Sequence, residues 1–218
     1  MKALLRRKKQ SNGERGCPPQ GIYADHSQEG DIRQAYLLRK LNDRRDEFVE
    51  RSSLTLHALT FNVAGRRPPP PESVAGDSWT APTPAAATAD IRVVGIQEVV
   101  DLKASNVAAG SGGGLSPNAQ AWAAYFAGAY GAAYSLVAVK QLMGLLLLVF
   151  VDKGLRDDCS ACSMDAVPFG LMGVIGNKGV VAASLRVRGS TLCVVNCHLT
   201  AHRTPTALAA RNSEYAQA

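Results

Sequence analysis

The chain of 218 residues is 46% apolar, which suits one ordinary globular domain with a real core. Lys and Arg number 24 against 18 Asp and Glu, a formal charge of +6, and part of the excess is local in "RRKK", Arg6 to Lys9. The opening "MKALLRRKKQ" has too short an apolar stretch for a signal peptide. The most apolar run, "LMGLLLLVFV" from Leu142 to Val151, is about half as long as a membrane-spanning helix.

In chain order, residues 1–30 read as a flexible basic leader. Its charge is a solvated run or an attraction to phosphate-rich partners or an anionic membrane. Residues 31–52 read as a charged helix with Leu37, Leu41 and Phe48 on one stripe and Leu38 and Val49 at its edge. This stripe is expected to pack on the domain formed by residues 53–218. "LTLHALTFNV", Leu54 to Val63, reads as a strand apolar on both faces. The proline-rich stretch after it is a loop, because proline does not enter a sheet interior. Ile91 to Val99 is the next strand, and "SGGG" at Ser111 to Gly114 is a flexible turn. "PNAQAWAAYFAGAYG" is helical, with Trp122, Phe126 and Tyr130 at i, i+4 and i+8.

Strands follow at about Tyr134 to Lys140, Leu145 to Val151, Val180 to Arg188 and Thr191 to His198. Leu145 to Val151 reads as buried on both faces. The last two strands flank Gly189-Ser190, which implies an antiparallel hairpin. "TPTALAARNSEYAQA" opens a helix with Pro205 near its first turn. This mixture of helix, strand and hairpin defines an α/β or α+β class, not a doubly wound parallel sheet.

Cys17, Cys159, Cys162, Cys193 and Cys197 are odd in number, which without a secretory signal argues for reduced thiols in the cytoplasm. "CSAC" has zinc-knuckle spacing, but a structural zinc site usually shows two such pairs. Cys193 and Cys197 alternate along one strand face and read as small core residues.

Three strands end in polar residues that a core does not need. "TFNVAG" ends with Asn62, "GIQEVV" with Gln97 and Glu98, and "VVNCHLTAH" with Asn196, His198 and His202. Leu192, Val194, Asn196 and His198 share one face, which turns from apolar to polar at the strand tip. A hard oxygen donor, an amide and imidazoles suit a site for Mg²⁺ and a phosphate, because Mg²⁺ takes few protein carboxylates and shares ligands with phosphate. Histidines donate to phosphoryl oxygens as charge builds. "GVIGNKGVV", Gly173 to Val181, brings backbone close to something and supplies Asn177 and Lys178. It lacks the order of a Walker phosphate loop.

These motifs, collinear from about Leu54 to Ala218, resemble the inositol polyphosphate 5-phosphatases of the endonuclease/exonuclease/phosphatase superfamily. The resemblance rests on "TFNVAG", Trp79 in the following loop, "DIRVVGIQEVVDL", "QLMGLLLLVFV", "GNKGVV", "NCHLTAH" and "RNSEY". It implies a four-layer α/β/β/α sandwich, of which this chain is a partial, truncated copy. It implies Glu98 as metal ligand with Asn62 beside it, Mg²⁺ as cofactor, and His198 and His202 as catalytic groups at the scissile phosphate. Asn177 and Lys178, with Asn196, would bind the head group of an inositol phosphate or phosphoinositide. The implied reaction is Mg²⁺-dependent hydrolysis of the 5-phosphate.

The family continues with "D-x-N", "W-C-D-R" and "S-D-H" elements, and none follows His202 here. The chain therefore reads as the N-terminal half of a phosphatase domain, an incomplete and inactive fragment. Half a sandwich is expected to leave Leu54 to Val63 and Leu145 to Val151 partly uncovered. The alternatives are a non-catalytic module that binds anionic lipid and, less favoured, a nuclease of the same superfamily. "GNKG" and "HLTAH" argue against the nuclease, and no nucleic-acid partner is expected. Peripheral contact with the cytosolic face of a membrane fits the basic leader.

Overall fold

The apolar strands assemble into two sheets in the computed structural model, which describes residues 2–8, 32–70, 88–100, 114–171 and 175–218. Trp79, Ser111–Gly113, Gly173 and Cys17 lie outside the described residues. So do the side chains of residues 2–8, 32–33, 162, 170–171 and 175–177. The first sheet has the order β1-β2-β3-β5-β4, from β1 (Lys2–Lys8), β2 (Val49–Asn62), β3 (Ile91–Gln97), β4 (Tyr134–Leu142) and β5 (Leu145–Asp152). The second has the order β6-β7-β8, from β6 (Cys159–Leu171), β7 (Ile175–Val187) and β8 (Ser190–His198). β2 and β3 run parallel, and the other pairs are antiparallel. The helices are α1 (Ile32–Asp43), α2 (Pro117–Tyr130) and α3 (Pro205–Gln217).

β5 shows why its run is apolar throughout. Leu145, Leu147, Val149 and Val151 face the second sheet and meet Val181, Ala183, Leu185 and Val187 there. Leu146, Leu148 and Phe150 face the other way, onto Trp122, Phe126 and Tyr130 of α2. A strand between a sheet and a helix has no polar face. β5 is thus covered on both faces, against the expectation for it, whereas β2 is partly uncovered as expected: Leu54 is buried, Leu56, Leu59 and Phe61 are half-buried and Ala58 is exposed. α2 starts at a Ser116 cap that accepts from the Ala119 N–H at 3.3 Å, with Pro117 in the first turn. It ends at Gly131 with φ +65°, a conformation costly for any residue with a Cβ.

Several expectations are corrected. Residues 2–8 of the presumed leader form β1, paired antiparallel with β2 from Lys2↔Thr55 to Lys8↔Val49. β6 was not foreseen. It is an edge strand with many exposed polar residues, so it lacks an apolar pattern, and Pro168 is tolerated where one side makes no ladder. β7 begins at Ile175, so residues 175–181 of the glycine-rich stretch lie in a strand. What approaches Gly179 is the protein itself: a Cβ there would lie 2.7 Å from Val167 O and 2.8 Å from Leu142 Cδ2. Cys193 and Cys197 are exposed, because Val194 and Asn196 take the inner face of β8 and the outer face is bare. The β7–β8 turn centres on Arg188 and Gly189, with φ of 45° and 78°, between the pair Val187↔Ser190. Positive φ at both central residues defines the primed turn that matches strand twist. The α1 stripe does not pack on the domain: Leu37 and Leu41 are 51% and 56% exposed.

Arg92 of β3 is buried at 3% exposure, with its guanidinium 4.4 Å from the Tyr130 ring and 3.8 Å from the Tyr134 ring. The two rings, tilted at 52° to each other, hold the cation over their faces. His57 is its register partner on β2. Burial first, and the Arg92 charge second, lower the His57 pKa below its ordinary 6.5. The unfolded chain therefore binds this proton at a higher pH than the folded one. Stability from neutral His57 is full above pH 6.5 and is lost as pH falls from there toward the folded pKa. Thermal unfolding is expected to weaken between neutral pH and pH 5, and His57→Gln should flatten that slope. An unchanged slope would remove His57 as its source.

Candidate active site

β2, β3 and β8 end at the same end of the sandwich. Asn62 and Gln97 are register partners on β2 and β3. Gln97 crosses to the second sheet, where its Nε2 donates to Asn196 Oδ1 at 2.7 Å. It also donates to Thr60 Oγ1 at 2.9 Å. Asn196 Nδ2 donates to Ile96 O at 3.1 Å and Leu146 O at 3.0 Å, closing the last pair of the β3–β5 ladder. Asn196 is 5% exposed. Its amide is spent on joining the sheets, so the expected contact with substrate is corrected to a role in building the site.

Glu98 follows β3 with φ 55°, a left-handed conformation uncommon outside glycine. Strand alternation would send its side chain to the α2 side, where Ile96 and Val99 are buried. The positive φ breaks the alternation, and Glu98 Oε1 comes to 3.9 Å from His198 Nε2 on the other sheet. Strain at a strand end that re-aims a carboxylate is characteristic of functional sites. The corner is braced. Val63 N–H donates to Gln97 O at 3.0 Å and Gly65 N–H to Glu98 O at 2.8 Å. Asn118 Nδ2 donates to Val99 O at 2.8 Å and Trp122 Nε1 to Arg66 O at 3.0 Å. Asn62 Oδ1 accepts from the Ala64 N–H at 2.9 Å, and its exposed amide stands on the same corner.

His198 is half of a second pair. Lys178 Nζ lies 2.6 Å from His198 Nε2. An ammonium only donates, so His198 Nε2 is the acceptor while Lys178 is charged. Burial lowers the Lys178 pKa, and Glu98 and then Glu214 oppose that shift. The charges of both carboxylates thus act on a partly desolvated ammonium. Asn177 precedes it on β7, and the Asn177 side chain lies outside the described residues. His202 sits beyond β8, exposed, with φ 79°. Its carbonyl accepts from Arg211 Nη1 at 2.7 Å, and the same nitrogen reaches Thr200 O at 3.0 Å. Glu214 accepts from Thr200 N–H at 2.8 Å and from the Thr200 hydroxyl. α3 thus holds the loop that carries His202. Sequence reasoning marks Gln97 only as a polar strand end and gives no role to Arg211 or Glu214, whose signal lies in "RNSEY".

The structure therefore brings together Glu98, His198 and Lys178, with Asn62 at the same corner, and leaves His202 exposed on the braced loop after β8. Among the described residues no group of three or more His, Cys, Asp or Glu forms a metal cage. One carboxylate and one amide fit a hard cation that keeps most of its own water.

The fold is thus a two-sheet α/β sandwich with a carboxylate, a lysine and a histidine converging at one end. Residues 59–218 match the family described as "Endonuclease/Exonuclease/phosphatase family 2", and the chain belongs to that family. It is 30% identical to the Type I inositol polyphosphate 5-phosphatase 8 of Arabidopsis thaliana, over 69% of this chain and 38% of that protein. It is 28% identical to the polyphosphatidylinositol phosphatase INP53 of Saccharomyces cerevisiae, over 78% of this chain and 15% of that protein. The chain thus spans well under half the length of these relatives. The inositol polyphosphate 5-phosphatase domain of spsynaptojanin, solved with inositol (1,4)-bisphosphate and calcium ion, superposes with a TM-score of 0.64 at 24% identity, over 86% of this chain and 52% of that one. That likeness extends the fold assignment to the sandwich type expected from the sequence. No helix among the described residues is long and apolar enough to cross a membrane.

Proposed function

We propose that this chain carries the phosphate-binding side of a phosphoric monoester hydrolase. Its substrate class is the 5-phosphate of inositol polyphosphates or phosphoinositides. The observation that carries the reading is the convergence on His198 Nε2 of Lys178 Nζ at 2.6 Å and Glu98 Oε1 at 3.9 Å, from opposite sheets. The family membership and the 5-phosphatase relatives support it.

Lys178 offers a cation already partly stripped of water, so a phosphate oxygen gains more from it than from a solvated lysine. A bound phosphate would take over the Lys178 donor, freeing His198 Nε2 to protonate and donate in turn. Asn177 and His202 extend the same phosphate contact in this reading. Glu98 and Asn62 would hold Mg²⁺, which when bound offsets phosphate charge. The reading places the protein in the cytoplasm with peripheral contact to the membrane face that displays phosphoinositides.

Calorimetric titration with inositol (1,4)-bisphosphate tests it. Binding in the presence of Mg²⁺ is expected to weaken about tenfold or more in Lys178→Ala, the worth of one charge-assisted hydrogen bond. Glu98→Ala should remove the Mg²⁺ dependence of that binding. Equal affinities in both variants and the parent chain would overturn the assignment.

A further inference from the structure

We infer that the exposed face of α1 is a docking surface for an anionic lipid bilayer. Every described side chain of α1, residues 34–43, is exposed, so the helix stands clear of the domain core. Leu37, Leu38 and Leu41 fall on one side at i, i+1 and i+4, and are 51%, 37% and 56% exposed. Tyr36 is 58% exposed and Phe48, just past the helix, 37%. Water gains nothing from such a stripe, and an isolated helix of this length is marginal without a surface to bury it.

Charge names the occupant. Lys40 and Arg44 flank the leucines at i+3 and i+7 from Leu37, with Lys40 also 5.8 Å from the Tyr36 ring. Arg44 is tied to Glu47 at 2.6 Å, and among the described side chains of α1 the cations are Arg39 and Lys40, against one acid, Asp43. β1 carries Lys2, Arg6, Arg7 and Lys8 and no acid. Its register sets Arg6 opposite Arg51, Arg7 opposite Glu50 and Lys8 opposite Val49. The basic end of β1 therefore lies beside the start of β2, which follows α1 after the short turn Arg45–Glu47. A narrow apolar stripe bordered by Lys and Arg on a helix of low net hydrophobicity fits the headgroup boundary of an anionic membrane. A peptide-binding groove would instead need a wider apolar face.

This contact deepens the peripheral-membrane part of the proposed function. It favours a membrane-embedded substrate over a soluble one, and it stands independently of the phosphatase chemistry. The test is co-sedimentation of the 218-residue chain with phosphatidylcholine vesicles, with and without about a third phosphatidylserine. The vesicles contain no phosphoinositide, so the head-group site contributes nothing. Binding is expected with the anionic vesicles only, falling as salt rises. The double variant Leu37→Glu/Leu41→Glu should weaken it about tenfold or more, since each change removes a buried leucine from the lipid phase. Arg39→Glu/Lys40→Glu should weaken it with the leucines intact. These residues are exposed, so folding is not at stake, and circular dichroism confirms that. Equal binding to both vesicle types, or binding indifferent to both double variants, would overturn the inference. So would light scattering that shows a dimer dissolved by the leucine variant without vesicle binding, or capture of an acidic protein partner that the vesicles do not displace. The leucine variant should still bind inositol (1,4)-bisphosphate in solution. Loss of that binding in the parent chain counts against the proposed function and not against the membrane surface.

Discussion

Replacing Asn196 by leucine is expected to lower the stability of the domain by about 3 kcal/mol, the cost of stranding buried hydrogen-bonding groups. Asn196 Nδ2 serves Ile96 O and Leu146 O, and its Oδ1 serves Gln97 Nε2. Leucine would leave both carbonyls and the Gln97 amide without that partner in a nearly dry space. Gly95→Ala should have a comparable effect by a different route. A Cβ at Gly95 would lie 2.9 Å from Asn196 Cγ and 2.9 Å from its Oδ1, and both atoms belong to a side chain held by three hydrogen bonds. Space for the methyl opens only if Asn196 leaves its partners. Thermal unfolding measures both variants, and a fall in Tm of roughly 5–10 °C is expected for a chain of this size. The two changes act on one contact, so the double variant should lose clearly less than the sum of the singles. Additive losses, or melting curves that superpose on the parent's, would show that Asn196 does not join the sheets as described.

The 218-residue chain by itself is expected to release phosphate from inositol 5-phosphates roughly a thousandfold or more slowly than the Arabidopsis type I enzyme it resembles. Losing a central catalytic group typically costs that much. In-line attack needs a water that is held and deprotonated. Among the described residues the carboxylates near His198 and Lys178 are Glu98 and Glu214. Glu98 is the candidate metal ligand, and Glu214 spends both oxygens on Thr200. Asp158 is at the other end of the second sheet, paired with Arg188 at 3.3 Å. Asp165 lies exposed on the edge strand β6. None of them is placed to activate water. A malachite-green assay of the purified chain in Mg²⁺ checks the point. Rates matching the enzyme's and lost in Glu98→Ala would show that a base has been overlooked.

Most of the central elements could be read from residue order, because each has a local cause. The run Leu145–Val151 is apolar throughout, and only a strand or helix covered on both faces has that composition. Trp122, Phe126 and Tyr130 recur at helical spacing between a Ser-Pro start and a glycine stop, so α2 was visible with its buried face. The alternation through Val194, Asn196 and His198 located the polar tip of β8. The same pattern misled about Cys193 and Cys197, since alternation states which residues share a face and not whether anything covers it. The leucine stripe of α1 failed for that reason too. Amphipathicity calls for a partner without saying that the partner lies in the same chain. β6 and β1 gave no local signal, because an edge strand takes its stability from the ladder beside it.

The site divides in the same way. Residue types and strand ends marked Asn62, Glu98, Lys178, Asn196 and His198 as polar groups out of place in a core. Their division of labour is a property of the packed sheets. Asn196 and His198 lie two residues apart on one face, yet one is buried between sheets and the other meets a lysine and a carboxylate. That difference depends on how far the sandwich closes, which Gly95 permits on one sheet and Gly179 on the other. The left-handed turn at Glu98 is likewise invisible in its own sequence, because φ there is set by hydrogen bonds from Val63 and Gly65 across the chain. Local composition determined which residues could do chemistry. Long-range closure of two sheets, with its hydrogen bonds between residues some hundred positions apart, decided which of them face the site and which hold it together.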